Sequence, residues 1–135
     1  MKRVLILCTG NSCRSIMAEG LINLYLKDKV IAYSAGSDPK GEVNKSAIEV
    51  LKEEGAWRDS YYSKSIEAIE EYAPFDLIIS VCDRAKNRCV NYFKGKKHIH
   101  IPFIDPDGKG IEEFKRVKEE IKEILLKRVK EELAI

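Results

Sequence analysis

Val4-Leu5-Ile6-Leu7-Cys8-Thr9-Gly10-Asn11-Ser12-Cys13-Arg14-Ser15-Ile16-Met17-Ala18-Glu19 is the stretch from which the rest of the chain can be placed. An unbroken apolar run without polar alternation reads as a strand buried on both faces. A short polar turn follows, and Ser15 onward reads as a helix. Strand, tight loop and helix N-terminus together make an anion cradle: loop N–H groups converge and the positive helix end favours negative charge. Thr9, Gly10, Asn11, Ser12, Cys13, Arg14 and Ser15 are the predicted oxyanion-binding residues, with Arg14 able to grip two oxygens at once. Cys8 stands at the base of the loop, in C-x5-R spacing with Arg14. In that positive field it is expected to be a thiolate near neutral pH, and so a nucleophile. The Ser15 hydroxyl is expected to donate to the Cys8 sulfur, and Gly10 to supply a backbone shape that other residues resist. C-x5-R alone is a loose pattern; the strand before it and the helix after it give it meaning.

Working outward, Arg3–Leu7 is the first predicted strand. Ser15 to about Lys29 is a helix with Ile16, Met17, Leu21, Leu24 and Tyr25 at helical spacing. Val30–Ser34 is a second strand, followed by a turn-rich loop to Gly41. Asn44 is placed as the cap of a helix that runs to Glu54 and stops at Gly55. Ser65 is expected to cap a short helix to Tyr72, ended by Pro74. Asp76–Cys82 and Lys97–Ile101 are the third and fourth strands. Ile111–Leu133 is a long amphipathic helix with Phe114, Val117, Ile121, Leu125 and Val129 on one stripe. Alternating strands and helices predict an α/β fold: one three-layer domain over residues 1–135, a four-stranded parallel sheet with helices on both faces. The loops after Cys8, Ser34, Cys82 and Ile101 then share the edge formed by the strand C-termini.

The 135 residues are 44% hydrophobic and 34% charged with a net charge of only +2, and basic and acidic residues are mixed. No basic stripe points to nucleic acid, and no apolar run reaches membrane-spanning length. A cytoplasmic protein is expected, and nothing demands more than a monomer. Four cysteines, Cys8, Cys13, Cys82 and Cys89, are spaced C-x4-C and C-x6-C, unlike the tighter pairs of structural zinc sites. His98 and His100 point to one face of their strand without a third ligand, so no metal site is expected. Trp57, Tyr61 and Tyr62 read as packing residues.

Asp105, before Pro106 in an edge loop, is the candidate general acid, with Asp107 a weaker competitor. Asp-Pro is also ordinary turn chemistry. Cys82 ends a strand on the edge that carries Cys8, and Cys89 lies seven residues on in a charged loop. Thiols so placed can pass oxidation along by thiol–disulfide exchange. Cys13 reads as a packing residue able to form a protective disulfide with Cys8.

Cys8 to Ser15, followed by Met17-Ala18-Glu19-Gly20, resembles the low-molecular-weight tyrosine phosphatase superfamily, and within it the thioredoxin-coupled arsenate reductases. Ser34-Ala35-Gly36, Cys82 to Cys89, Asp105-Pro106 and Phe114 to Ile121 extend the likeness along nearly the whole chain. The phosphatases share the first loop and Asp-Pro, generally lack the Cys82/Cys89 pair, and carry aromatic residues where Asp107-Gly108 stands here. The resemblance implies reduction of arsenate to arsenite by Cys8, Arg14, Asp105, Cys82 and Cys89, through Cys8–Cys82 and then Cys82–Cys89 disulfides. Thioredoxin is then the electron donor and no redox cofactor is bound. A phosphatase working through a Cys8 phosphoenzyme is the alternative; a non-catalytic oxyanion-binding or redox-sensing module is a third. Some members of the family bind potassium with side chains resembling Asn11, Glu19 and Ser34 and an aspartate at the position of Lys64. Lysine there implies that its ammonium stands in for the cation.

Overall fold

The computed structural model describes residues 1–82 and 97–135. Strands β1 (Lys2–Cys8), β2 (Val30–Gly36), β3 (Leu77–Ser80) and β4 (His98–His100) form one parallel sheet in the order β2-β1-β3-β4. Among the described residues three α-helices accompany them: α1 (Arg14–Tyr25), α2 (Lys45–Glu54) and α3 (Ile111–Leu133), with a 3-10 helix over Ile66–Tyr72. Val4, Leu5, Ile6 and Leu7 are all 0% exposed. Successive strand residues face opposite sides of a sheet, so both faces are covered at β1.

Helix α1 lies against β2, α2 and α3, which explains why its residues from Ser15 to Asn23 are buried all round. The expected apolar stripe needs correction at its end. Helix α1 stops at Tyr25, short of Lys29, and the Tyr25 ring is 43% exposed. A buried polar row, Ser15, Glu19 and Asn23, at i, i+4 spacing is the feature that stripe overlooks. Asn23 behaves like a strand residue: Nδ2 donates to Ala32 O (3.1 Å) and Oδ1 accepts from Ala32 N (2.8 Å), which fastens α1 to edge strand β2.

The remaining boundaries follow local chemistry. Asn44 caps α2, Oδ1 accepting from Ser46 N, and Gly55 ends it at φ 77°. Ser65 occupies a cap position without a side-chain cap bond, contrary to expectation, and its segment is 3-10 rather than α. Strand β2 runs two residues past Ser34. Strands β3 and β4 are shorter than their apolar runs, so Val81, Cys82 and Ile101 lie beyond the ladder. Phe114, Val117, Ile121, Leu125 and Val129 are all buried, as the stripe on α3 predicts. No described helix is long and apolar enough to cross a membrane.

Candidate active site

Cys8 is the last residue of β1 and Arg14 the first of α1, so Thr9 to Cys13 must reverse direction in five residues. The loop's carbonyls point away from its centre. Thr9 O accepts from Asp38 N (2.9 Å), Gly10 O from Lys40 N (2.9 Å) and from Ser63 Oγ (3.0 Å), and Ser12 O from Asn44 N (3.0 Å). Carbonyl and N–H of a trans peptide point in opposite directions, so these bonds turn the N–H groups of Gly10, Asn11 and Cys13 inward. They line a cavity of about 360 Å³ with Cys8, Arg14, Asp38, Lys40, Cys82 and Asp105.

The strained backbone position is Asn11, at φ 47°, not Gly10 as expected. Asn11 tolerates the left-handed region because all its side-chain groups are held: Nδ2 donates to Ser15 Oγ (2.8 Å) and Ser34 Oγ (3.0 Å), and Oδ1 accepts from Lys64 N (2.9 Å). The glycine that the loop needs for space is Gly36, where a Cβ would stand 2.5 Å from Thr9 O. Ser15 Oγ accepts from Asn11, and among the described residues no hydrogen bond joins it to Cys8, contrary to expectation.

Arg14 is aimed by Nη1 donating to Phe103 O (3.0 Å) and by Nη2 lying 3.5 Å from Asp105 Oδ2. Its Nε is buried without a partner among the described residues. A buried guanidinium N–H left open beside inward-facing amides is a donor waiting for an acceptor. Asp105 is held at the rim by the loop after β4, where Phe103 N donates to Val81 O (3.1 Å), and Asp105 Oδ1 accepts from Asp107 N (3.0 Å).

Cys82 enters the same cavity. Its Sγ lies 3.2 Å from Cys8 Sγ and accepts from Thr9 N (3.1 Å), with Thr9 Oγ1 at 3.2 Å. The geometry makes Cys8 the donor to Cys82. That hydrogen bond and burial push the Cys8 thiol well above its ordinary value, against the pull of Arg14 and the Thr9 backbone. The expected Cys8 thiolate is therefore corrected for this arrangement, in which one negative charge has two sulfurs to choose from. Cys13 is buried at the cavity wall, and burial pushes its thiol up, opposed by Ser12. Among the described residues Cys8, Cys13 and Cys82 are in no disulfide. Cys89 lies outside the described residues.

Beneath the loop, Lys64 Nζ donates to Tyr62 O (3.0 Å) and to Ser34 Oγ (3.4 Å) and lies 3.8 Å from Glu19 Oε1, which also accepts from Ser34 Oγ (2.6 Å). Burial raises the Glu19 carboxyl and lowers the Lys64 ammonium, and each charge opposes the shift of the other. Asp38 and Lys40 are site residues that the sequence reading left in a featureless turn. Their one signal was position, in the loop after a strand C-terminus.

The site is an oxyanion cradle with a thiol at its base and a carboxyl at its rim, the equipment of an enzyme that attacks tetrahedral oxyanions. Residues 3–134 match the family described as low molecular weight phosphotyrosine protein phosphatase, and the chain belongs to that family. Arsenate reductase 1 of Staphylococcus epidermidis is 40% identical over 121 residues, covering 90% of each chain. Among solved structures, a low molecular weight protein tyrosine phosphatase from T. tengcongensis superposes with a TM-score of 0.85 at 29% identity, covering 97% of this chain and 99% of that one. An arsenate reductase in the phosphate binding state gives 0.83 at 29% identity, covering 97% and 98%.

Proposed function

We propose that the chain reduces arsenate to arsenite by a thiol relay. The observation that carries this reading is the second sulfur in the cradle, Cys82 Sγ 3.2 Å from Cys8 Sγ. A hydrolase that forms and hydrolyses a cysteinyl ester has no use for it. Arsenate sits against the inward N–H groups and the Arg14 guanidinium. With the pair's one negative charge on Cys8, its sulfur attacks arsenic, and an As–OH bond breaks as Asp105 protonates the departing hydroxide to water. Cys82 then attacks Cys8 Sγ. The sulfur–arsenic bond breaks, its electron pair goes to arsenic, and arsenite leaves behind a Cys8–Cys82 disulfide. Cys89 attacks Cys82, returning Cys8 as a thiolate and forming Cys82–Cys89, which a thioredoxin dithiol reduces. Electrons travel through thiols throughout, so no bound redox cofactor is required. On this reading the protein works as a cytoplasmic monomer.

The Lys64 ammonium, surrounded by Glu19, Ser34 and Tyr62, fills the place where a monovalent cation would sit. These residues do not suit an added cation, and no step depends on one. The phosphatase reading is favoured by the likeness to the T. tengcongensis enzyme and by the Arg14–Asp105 pair, which would serve a phosphate ester equally. Arsenate turnover with thioredoxin, thioredoxin reductase and NADPH separates the two. The reductase consumes NADPH steadily and Cys89→Ser abolishes it. A wild type that consumes none, yet hydrolyses an aryl phosphate briskly, is a phosphatase.

A further inference from the structure

We propose that Asp107 is a positioning residue: a latch, closed by Lys40 and Asn44, that aims Asp105 at the leaving oxygen. The inference rests on Asp105 being the proton donor of the proposed reaction. Asp107 Oδ2 lies 3.0 Å from Lys40 Nζ, and Oδ1 accepts from Asn44 Nδ2 at 3.1 Å. Both carboxylate oxygens are thus spent on the segment before α2, which makes Asp107 a poor rival for the acid role. Its backbone works in the other direction, its N–H donating to Asp105 Oδ1 at 3.0 Å. With Oδ1 so occupied, Oδ2, on the Arg14 side, is the oxygen left to carry a proton.

The latch also reaches the oxyanion loop. Lys40 N donates to Gly10 O, and the Lys40 stem lies so close over Gly10 that a Cβ there would stand 3.2 Å from Lys40 Cγ. A side chain at Gly10 would press on the Lys40 stem, and no unusual φ is required there. Asn44 N holds Ser12 O from the far side of the same loop. Lys40 and Asn44 grip the cradle through their backbones and the acid loop through their side chains. Asp105 itself is 53% exposed by its side chain, too open for packing to aim it. The hydrogen bond from Asp107 N and the pair with Arg14 are what set its direction.

A latch that serves proton donation acts in proportion to how much the leaving group needs a proton. Hydrolysis of phenyl phosphate, whose leaving oxygen needs one, is compared with dinitrophenyl phosphate, whose leaving oxygen does not. Asp107→Ala is expected to lower kcat on phenyl phosphate by roughly tenfold or more and on the dinitrophenyl ester far less, with KM little moved. Asp107→Asn, which keeps an acceptor for Lys40 or Asn44, falls between. Should Asp107→Ala fail to fold, Lys40→Met opens the latch from its other end. Equal losses on the two esters, no loss, or a wild type that treats the esters alike or hydrolyses neither overturns the proposal. Arsenate turnover on the same preparations keeps the two readings apart. A wild type inert to arsenate with the ester contrast intact removes the reductase and leaves the latch. Arsenate turnover with equal ester losses does the reverse.

Discussion

Replacing Cys82 with alanine removes the group that most raises the Cys8 thiol. The two sulfurs stand 3.2 Å apart in a buried setting. At an effective dielectric constant near 20, two thiolates at that separation repel by about 5 kcal/mol, close to four pH units. The first proton of the pair leaves with help from Arg14 and the Thr9 N–H; the second must leave against that repulsion. The titration is therefore expected in two steps separated by about four pH units, the upper one well beyond the ordinary thiol value of 9.0. Thiolate ultraviolet absorbance, followed against pH in a background with Cys13 and Cys89 replaced by alanine, reads both steps. In Cys82→Ala only one step remains. It belongs to Cys8 and lies below the upper wild-type step, because the partner that most raised it is gone while Arg14 and the loop still act against burial. Alkylation of Cys8 followed by peptide mass mapping gives the same profile independently. A wild-type pair that loses both protons in one step, or a Cys8 profile that Cys82→Ala leaves unmoved, would refute the coupling and the placement of Cys82 in the cradle.

Glu54 offers a pH-dependent test of the fold. Burial would raise it, but Lys118 Nζ at 2.7 Å, Lys122 Nζ at 2.9 Å and the Tyr25 hydroxyl hold it down at about 2, below its ordinary 4.5. A carboxyl lowered on folding stabilises above its unfolded value and loses that stabilisation as pH falls through 4.5 toward 2. Glu54→Gln should cost at most about 3 kcal/mol at neutral pH, reduced by solvent on the Lys122 side, and the gap to wild type in urea unfolding should close in acid; a gap that stays constant with pH refutes the pairing. Potassium added in place of sodium should change neither the melting temperature nor arsenate turnover, since the Lys64 ammonium already fills the space beside Glu19; strong activation by potassium sinks that assignment.

Much of this was legible in order along the chain. The apolar run of β1, the Asn44 and Gly55 caps and the buried stripe of α3 are local patterns with local causes. Cys8, Arg14 and Asp105 were legible because parallel topology puts strand C-termini on one edge, and the structure brings all three to one cavity. What was not legible depends on which segments touch. The sequence reading put the unusual backbone at Gly10, whereas Asn11 carries it because Ser15, Ser34 and Lys64 surround its side chain. Gly36 reads as a turn residue until Thr9 O is found against it. The protonation of Cys8 was misjudged for the same reason: Arg14 is six residues away in sequence, while Cys82, which outweighs it, is seventy-four.

Thr9 shows how a single substituent can redirect an oxyanion loop. The first N–H after the nucleophile is that of Thr9. Here it faces Cys82 Sγ, and so does the Thr9 hydroxyl. Donors that stabilise developing negative charge on oxygen do the same for sulfur. They therefore surround the second sulfur beside the first. On the proposed reading an attack by Cys82 on Cys8 needs that proximity, and the same loop that gathers the oxyanion supplies it. The cradle, Arg14 and Asp105 serve either chemistry unchanged; on the proposed reading, reduction also needs Cys82 at the end of β3 and Cys89 beyond it.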